Sequence, residues 1–254
     1  MSFADTNSAR FPVTDSSGNT HHLIGVYYAA DTDMPAPCAI FVHGIPGSEK
    51  NHDLAHRLRA DGWHVLVMHL SGAWGSEGSY FIPDHPRDVR AALDYVLNPE
   101  SSARVNPEKI AVMGYSLGSR AALISAVEDS RIGAVVSIAG FCDFSEVILA
   151  PDFFEGMPFF LRDATIDNLQ AGLAAIGQGL QPGEALAKIA PRPVLIVHGT
   201  ADEIVPFYHA DGFGMMGAEH VQRVNIEGAR HTFPMHRQEL ISVVHAFLSE
   251  WYRT

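Results

Sequence analysis

A chain of 254 residues, 47% of them hydrophobic, can bury a substantial core within one α/β domain. Its 17 basic residues against 29 acids give a formal net charge of −12, and no basic cluster offers a track for phosphates, so nucleic acid is excluded as the expected partner. No apolar run approaches the roughly 20 residues of a membrane span. Met1 to Thr20 is polar and lacks a secretory pattern, which makes the cytoplasm the expected location.

Short runs rich in valine and isoleucine alternate with longer helical patterns, as in a mostly parallel sheet covered by helices. Leu23 to Tyr28 reads as an early strand. Cys38 to Val42, His64 to His69, Ile110 to Met113, Ala134 to Ala139, Val194 to Val197 and Gln222 to Ile226 read as interior strands. His52 to Asp61, Pro86 to Leu97, Leu117 to Glu128, Tyr208 to Met216 and Met235 to Trp251 have the spacing of covering helices. Cys38 and Cys142 lie in apolar strand-like stretches and read as core.

One stretch breaks the rhythm. Residues 141–190 replace the short connection usual in α/β units and read as a cap. It carries Phe153, Phe154, Met157, Phe159 and Phe160 in one aromatic run, then a Gly- and Ala-rich helical pattern from Ile166 to Leu186. The aromatics either line a substrate pocket or glue the cap to the main domain, and Trp74 either borders that pocket or packs its own loop.

Gly114-Tyr115-Ser116-Leu117-Gly118 spells G-x-S-x-G between a strand and a small-residue helix. A strand entering a helix through one sharp turn strains the turn residue and leaves Ser116 Oγ exposed, the position of a nucleophile. A serine hydroxyl needs a base, and the base needs an orienting group. His231 stands in the loop between the last strand and the last helix, while His236 and His245 fall inside that helix. Asp202 directly follows the strand from Val194 to Val197, and Glu203 beside it reads as solvent-facing. The order Ser116, Asp202, His231 places each group at a strand's carboxyl end.

Charge developing on a carbonyl oxygen also needs donors, each contributing roughly 3 kcal/mol. The N–H of Leu117 is one. The second is expected from His43-Gly44-Ile45-Pro46-Gly47-Ser48, where Pro46 has no N–H, Ile45 is the candidate donor, Gly44 permits close approach and His43 braces the loop.

These residues resemble the α/β-hydrolase superfamily from about Leu23 onward. His43-Gly44-Ile45-Pro46-Gly47, Gly114 to Gly118, His198-Gly199-Thr200-Ala201-Asp202 through Val205-Pro206, and Gly228-Ala229-Arg230-His231 match its motifs in order. The glycine-rich Leu70 to Gly78 is similar to the loop after the fourth strand in dienelactone hydrolase-like and prolyl-oligopeptidase-like esterases, although dienelactone hydrolases carry cysteine where this chain has Ser116. The resemblance implies one α/β-hydrolase domain over 1–254, a central sheet of about eight strands, helices on both faces and the cap at 141–190.

A serine carboxylester hydrolase acting through an acyl-enzyme is the expected activity, on a small-molecule ester whose aryl or medium acyl group suits the cap, as in feruloyl-type esterases. A peptidase or amidase, a thioesterase and a carbon–carbon bond hydrolase share such a triad. A non-catalytic ligand-binding protein of the same fold is the reading from another class. No cofactor or metal is expected: His52 and His56 are spaced like metal ligands but lack a third ligand and the glutamate of the zinc-protease pattern. A homodimer is compatible with the sequence.

Overall fold

In a computed structural model, which describes residues 6–100, 104–145, 147, 153, 156, 159–215 and 218–254, the apolar runs form one eight-stranded sheet. The strands are β1 (Thr6–Thr14), β2 (Thr20–Tyr28), β3 (Ala36–Val42), β4 (His64–Met68), β5 (Val105–Tyr115), β6 (Ala134–Ile138), β7 (Val194–Gly199) and β8 (Val221–Ile226). They lie in the order β1-β2-β4-β3-β5-β6-β7-β8. β2 runs antiparallel to β1 and β4, and β3 to β8 are parallel.

The inner parallel strands β3, β4, β6 and β7 read as nearly continuous apolar runs because both faces are covered. Along β3, Cys38, Ile40 and Val42 enter the core on one side while Ala39 and Phe41 enter the core on the other. Helices α2 (His85–Leu97) and α3 (Leu117–Glu128) cover the first face; α1 (His52–Ala60) and α7 (Arg237–Arg253) cover the second. Between β6 and β7 stand α4 (Ile166–Gly177) and α5 (Pro182–Ile189), and α6 (Tyr208–Met215) precedes β8. Among the described residues, no helix is long and apolar enough to cross a membrane.

Three elements depart from the sequence reading. The polar start holds an edge strand, β1, in which only Ala9, Phe11 and Val13 turn inward. Half-buried strands alternate, and the exposed half of this one masks the signal. The single helical pattern from Ile166 to Leu186 is two helices, because Pro182 opens α5 and Gln181 forms its capping box with Glu184. Cys142 stands beyond the end of β6, partly buried, with Sγ 3.5 Å from His209 Nδ1, whereas Cys38 is fully buried in β3.

The glycine-rich loop after β4 is tied from beneath. Asp88 of α2 accepts the Ser71 N–H and hydroxyl, each at 2.7 Å. Burial pushes the Asp88 carboxyl up to about 7, against the lowering effect of those two bonds.

Candidate active site

Ser116 occupies the turn between β5 and α3 with φ 54° and ψ −124°, a left-handed backbone uncommon for a residue with a side chain. Its N–H donates to the Ile138 carbonyl at 2.8 Å, and its own carbonyl accepts the Ser119 N–H at 2.9 Å. Small neighbours make the turn possible: a Cβ on Gly118 would lie 2.5 Å from the Val42 and His43 carbonyl oxygens. The start of α3 therefore abuts the end of β3. One residue further along that loop, a Cβ on Gly44 would lie 2.8 Å from Ser116 Cβ.

His231 follows β8 and Asp202 follows β7, and the two meet. His231 Nδ1 stands 2.8 Å from Asp202 Oδ2 and 3.0 Å from Oδ1. Asp202 Oδ1 also accepts the Ile204 and Val205 N–H groups at 2.9 and 2.8 Å. Burial alone would raise this carboxyl; hydrogen bonds from His198, His231 and the Val205 N–H hold it well below the ordinary carboxylate range, so it is an anion at neutral pH. An anion at Nδ1 fixes the proton there and leaves Nε2 as the basic nitrogen.

Tyr115, the residue before Ser116, donates its hydroxyl to the His231 carbonyl at 3.1 Å, and the two rings lie 5.2 Å apart. This contact brings the His231 loop to the serine's turn. Among the described residues Ser116 Oγ makes no hydrogen bond within 3.5 Å. Ser116 and His231 are 5% and 8% exposed, and Ser116 lines a cleft.

Neither the Leu117 nor the Ile45 N–H donates to a protein acceptor among the described residues, and both residues line the same cleft as Ser116. Two free donors beside a strained serine suit an oxyanion. His43 braces the loop as a neutral ring: Nδ1 donates to the Gly44 carbonyl at 2.7 Å, Nε2 accepts the Leu70 N–H at 3.2 Å, and burial lowers its pKa to about 3. Glu203 is exposed and pairs with Arg230 at 2.7 Å.

The cleft over Ser116 is walled by apolar side chains, among them Ile82, Phe141, Phe144, Leu173 and Ile204. Of the aromatic candidates, Phe153 lines it. Phe154 lies outside the described residues. Trp74, Phe159 and Phe160 line a separate surface groove. Trp74 and Phe160 stack there at 5.1 Å, Trp74 Nε1 donates to the Pro46 carbonyl at 2.6 Å, Lys50 Nζ sits 3.7 Å over the Trp74 ring, and Ala73 bridges to Leu161. This cluster fastens the end of the aromatic run to the loop after β4. His52 Nδ1 lies 2.9 Å from the Tyr28 hydroxyl.

Sequence reasoning missed Tyr115, which occupies a variable place in G-x-S-x-G and announces itself by no spacing. It also missed most of the cleft wall. Phe141 and Phe144 do follow β6 at the sheet's carboxyl edge, where a pocket is expected.

The alpha/beta hydrolase family model matches residues 39–242. The uncharacterized protein YfhR of Salmonella typhi is 25% identical over 243 residues, covering 90% of this chain and 75% of that protein. The probable carboxylic ester hydrolase LipM of Mycobacterium tuberculosis is 24% identical over 277 residues, covering 93% and 60%. Among solved structures, Est1E from Butyrivibrio proteoclasticus with ferulic acid bound has the same fold, with a TM-score of 0.74 at 20% identity over 95% of this chain and 99% of that one.

Proposed function

The chain belongs to the alpha/beta hydrolase family, and from that premise we propose that it is a serine carboxylester hydrolase. The observation that carries this reading is the buried Asp202–His231 pair, 2.8 Å apart and held by Tyr115 against the turn that bears Ser116. Ser116 Oγ attacks the ester carbonyl while His231 Nε2 takes its proton, and Asp202 stabilises the imidazolium. The negative charge on the carbonyl oxygen is met by the Leu117 and Ile45 N–H groups. The alcohol leaves with the proton that His231 held. Water then gives a proton to His231 and attacks the acyl-enzyme; the proton returns to Ser116 as the acid departs.

The apolar wall of the cleft supports an ester with an uncharged, hydrophobic group beside the reacting carbonyl. The ferulic acid bound to Est1E and the activity in LipM's name lend the same support for ester cleavage. The test is intact-mass analysis after a fluorophosphonate probe, on wild type, Ser116→Ala and His231→Ala, with turnover of a short-chain aryl ester in parallel. One adduct on Ser116, lost or greatly slowed in both variants, is the expected result. Folded wild type that takes no adduct and turns over no ester overturns the reading.

A further inference from the structure

His198 stands at the end of β7, four residues before the acid, with its side chain fully buried. Its Nε2 lies 2.9 Å from the Val205 carbonyl. A carbonyl only accepts, so Nε2 carries the proton. The same nitrogen is 3.4 Å from Asp202 Oδ2, the oxygen that meets His231. Its Nδ1 is buried and has no partner among the described residues. All the polar capacity this ring uses is thus directed at the turn that carries the acid, and a buried polar atom left unmatched is a cost that packing alone would not favour.

That turn is closed from two sides. On one, Asp202 Oδ1 accepts the Ile204 and Val205 N–H groups. On the other, His198 holds the Val205 carbonyl and faces Oδ2. Without the second hold, Oδ1 keeps its two N–H donors while the backbone at Val205 and the side of Oδ2 lose theirs, and Oδ2 can swing away from His231.

We propose that His198 is a positioning residue for Asp202, clamping residues 202–205 from behind so that the carboxylate keeps both oxygens on His231. The inference rests on the triad reading above. It predicts that His198 affects the rate of the chemical step, through Asp202 and His231, and leaves substrate binding alone.

The test compares His198→Gln, whose amide nitrogen reaches the place of the imidazole Nε2, with His198→Met, of similar length and without a donor. Ester kinetics, the rate of fluorophosphonate labelling and the melting temperature are read on each. His198→Met is expected to lower kcat and the labelling rate about tenfold, with KM within about twofold, and His198→Gln to recover to within about threefold of wild type. Should His198→Met fail to fold, His198→Asn replaces it, since its amide is too short to reach the Val205 carbonyl. Wild-type kcat in the variant without the reaching donor overturns the proposal, as does a His198→Gln that falls as far as that variant. A wild type that fails to label at Ser116 instead overturns the ester-hydrolase reading, before any variant is compared.

Discussion

Both oxygens of Asp202 reach one nitrogen of His231, at 2.8 and 3.0 Å, and Asp202 Oδ1 is at the same time pinned by the Ile204 and Val205 N–H groups. One oxygen of the carboxylate, Oδ1, is therefore anchored by its own turn, while among the described residues Oδ2 meets only the two histidines.

Asp202→Asn tests that arrangement. The amide keeps the shape but offers an N–H to Nδ1, which turns the imidazole to the wrong tautomer. Turnover of an aryl ester is expected to fall about 10⁴-fold, with the circular dichroism spectrum unchanged. A loss below tenfold would remove Asp202 from the triad.

Gly44→Ala addresses the close approach beside Ser116. Its Cβ would lie 2.8 Å from Ser116 Cβ, inside ordinary contact distance. The loop bearing Ile45 must shift, taking one of the two free N–H donors with it. A fall in kcat of about 10²-fold or more is expected. A crystal structure of the variant would show the Ile45 nitrogen displaced.

Tyr115→Phe removes one hydroxyl from the His231 carbonyl and leaves the ring contact in place. A single neutral hydrogen bond is worth about 1 kcal/mol, so a loss in kcat/KM of roughly fivefold is expected, with KM little changed. Steady-state kinetics on the folded variant settle it.

The buried Asp88 carboxyl makes stability fall with rising pH. Its pKa is about 7 in the folded protein and about 4 when unfolded. Its contribution is complete below pH 4 and is lost as pH rises through 7, because the unfolded chain gives up a proton that the folded chain keeps. Wild type minus Asp88→Asn in unfolding free energy should therefore decline by on the order of 4 kcal/mol from pH 4 to above 7, measured by urea melts. A flat difference would show that Asp88 ionises normally.

The strands, the covering helices and the Asp202–His231 pairing were legible because each rests on local order: apolar period, turn residues, and motifs at strand ends. What stayed hidden depends on contacts between distant segments. Nothing in Phe153 or Phe160 alone says that one faces the cleft with Ser116 while the other stacks on Trp74. β1 was obscured because half of an edge strand is written in solvent's alphabet, and only Ala9, Phe11 and Val13 belong to the core. Tyr115 and His198 act through a carbonyl and a turn, and backbone partners leave no mark on side-chain spacing.

The Ala73–Leu161 bridge, with Trp74 stacked on Phe160, makes a seam between the loop after β4 and the end of the aromatic run. This seam stands apart from the cleft that Ser116 and Leu173 line. A change at Leu173 would therefore reshape the cleft over Ser116 and leave the seam untouched.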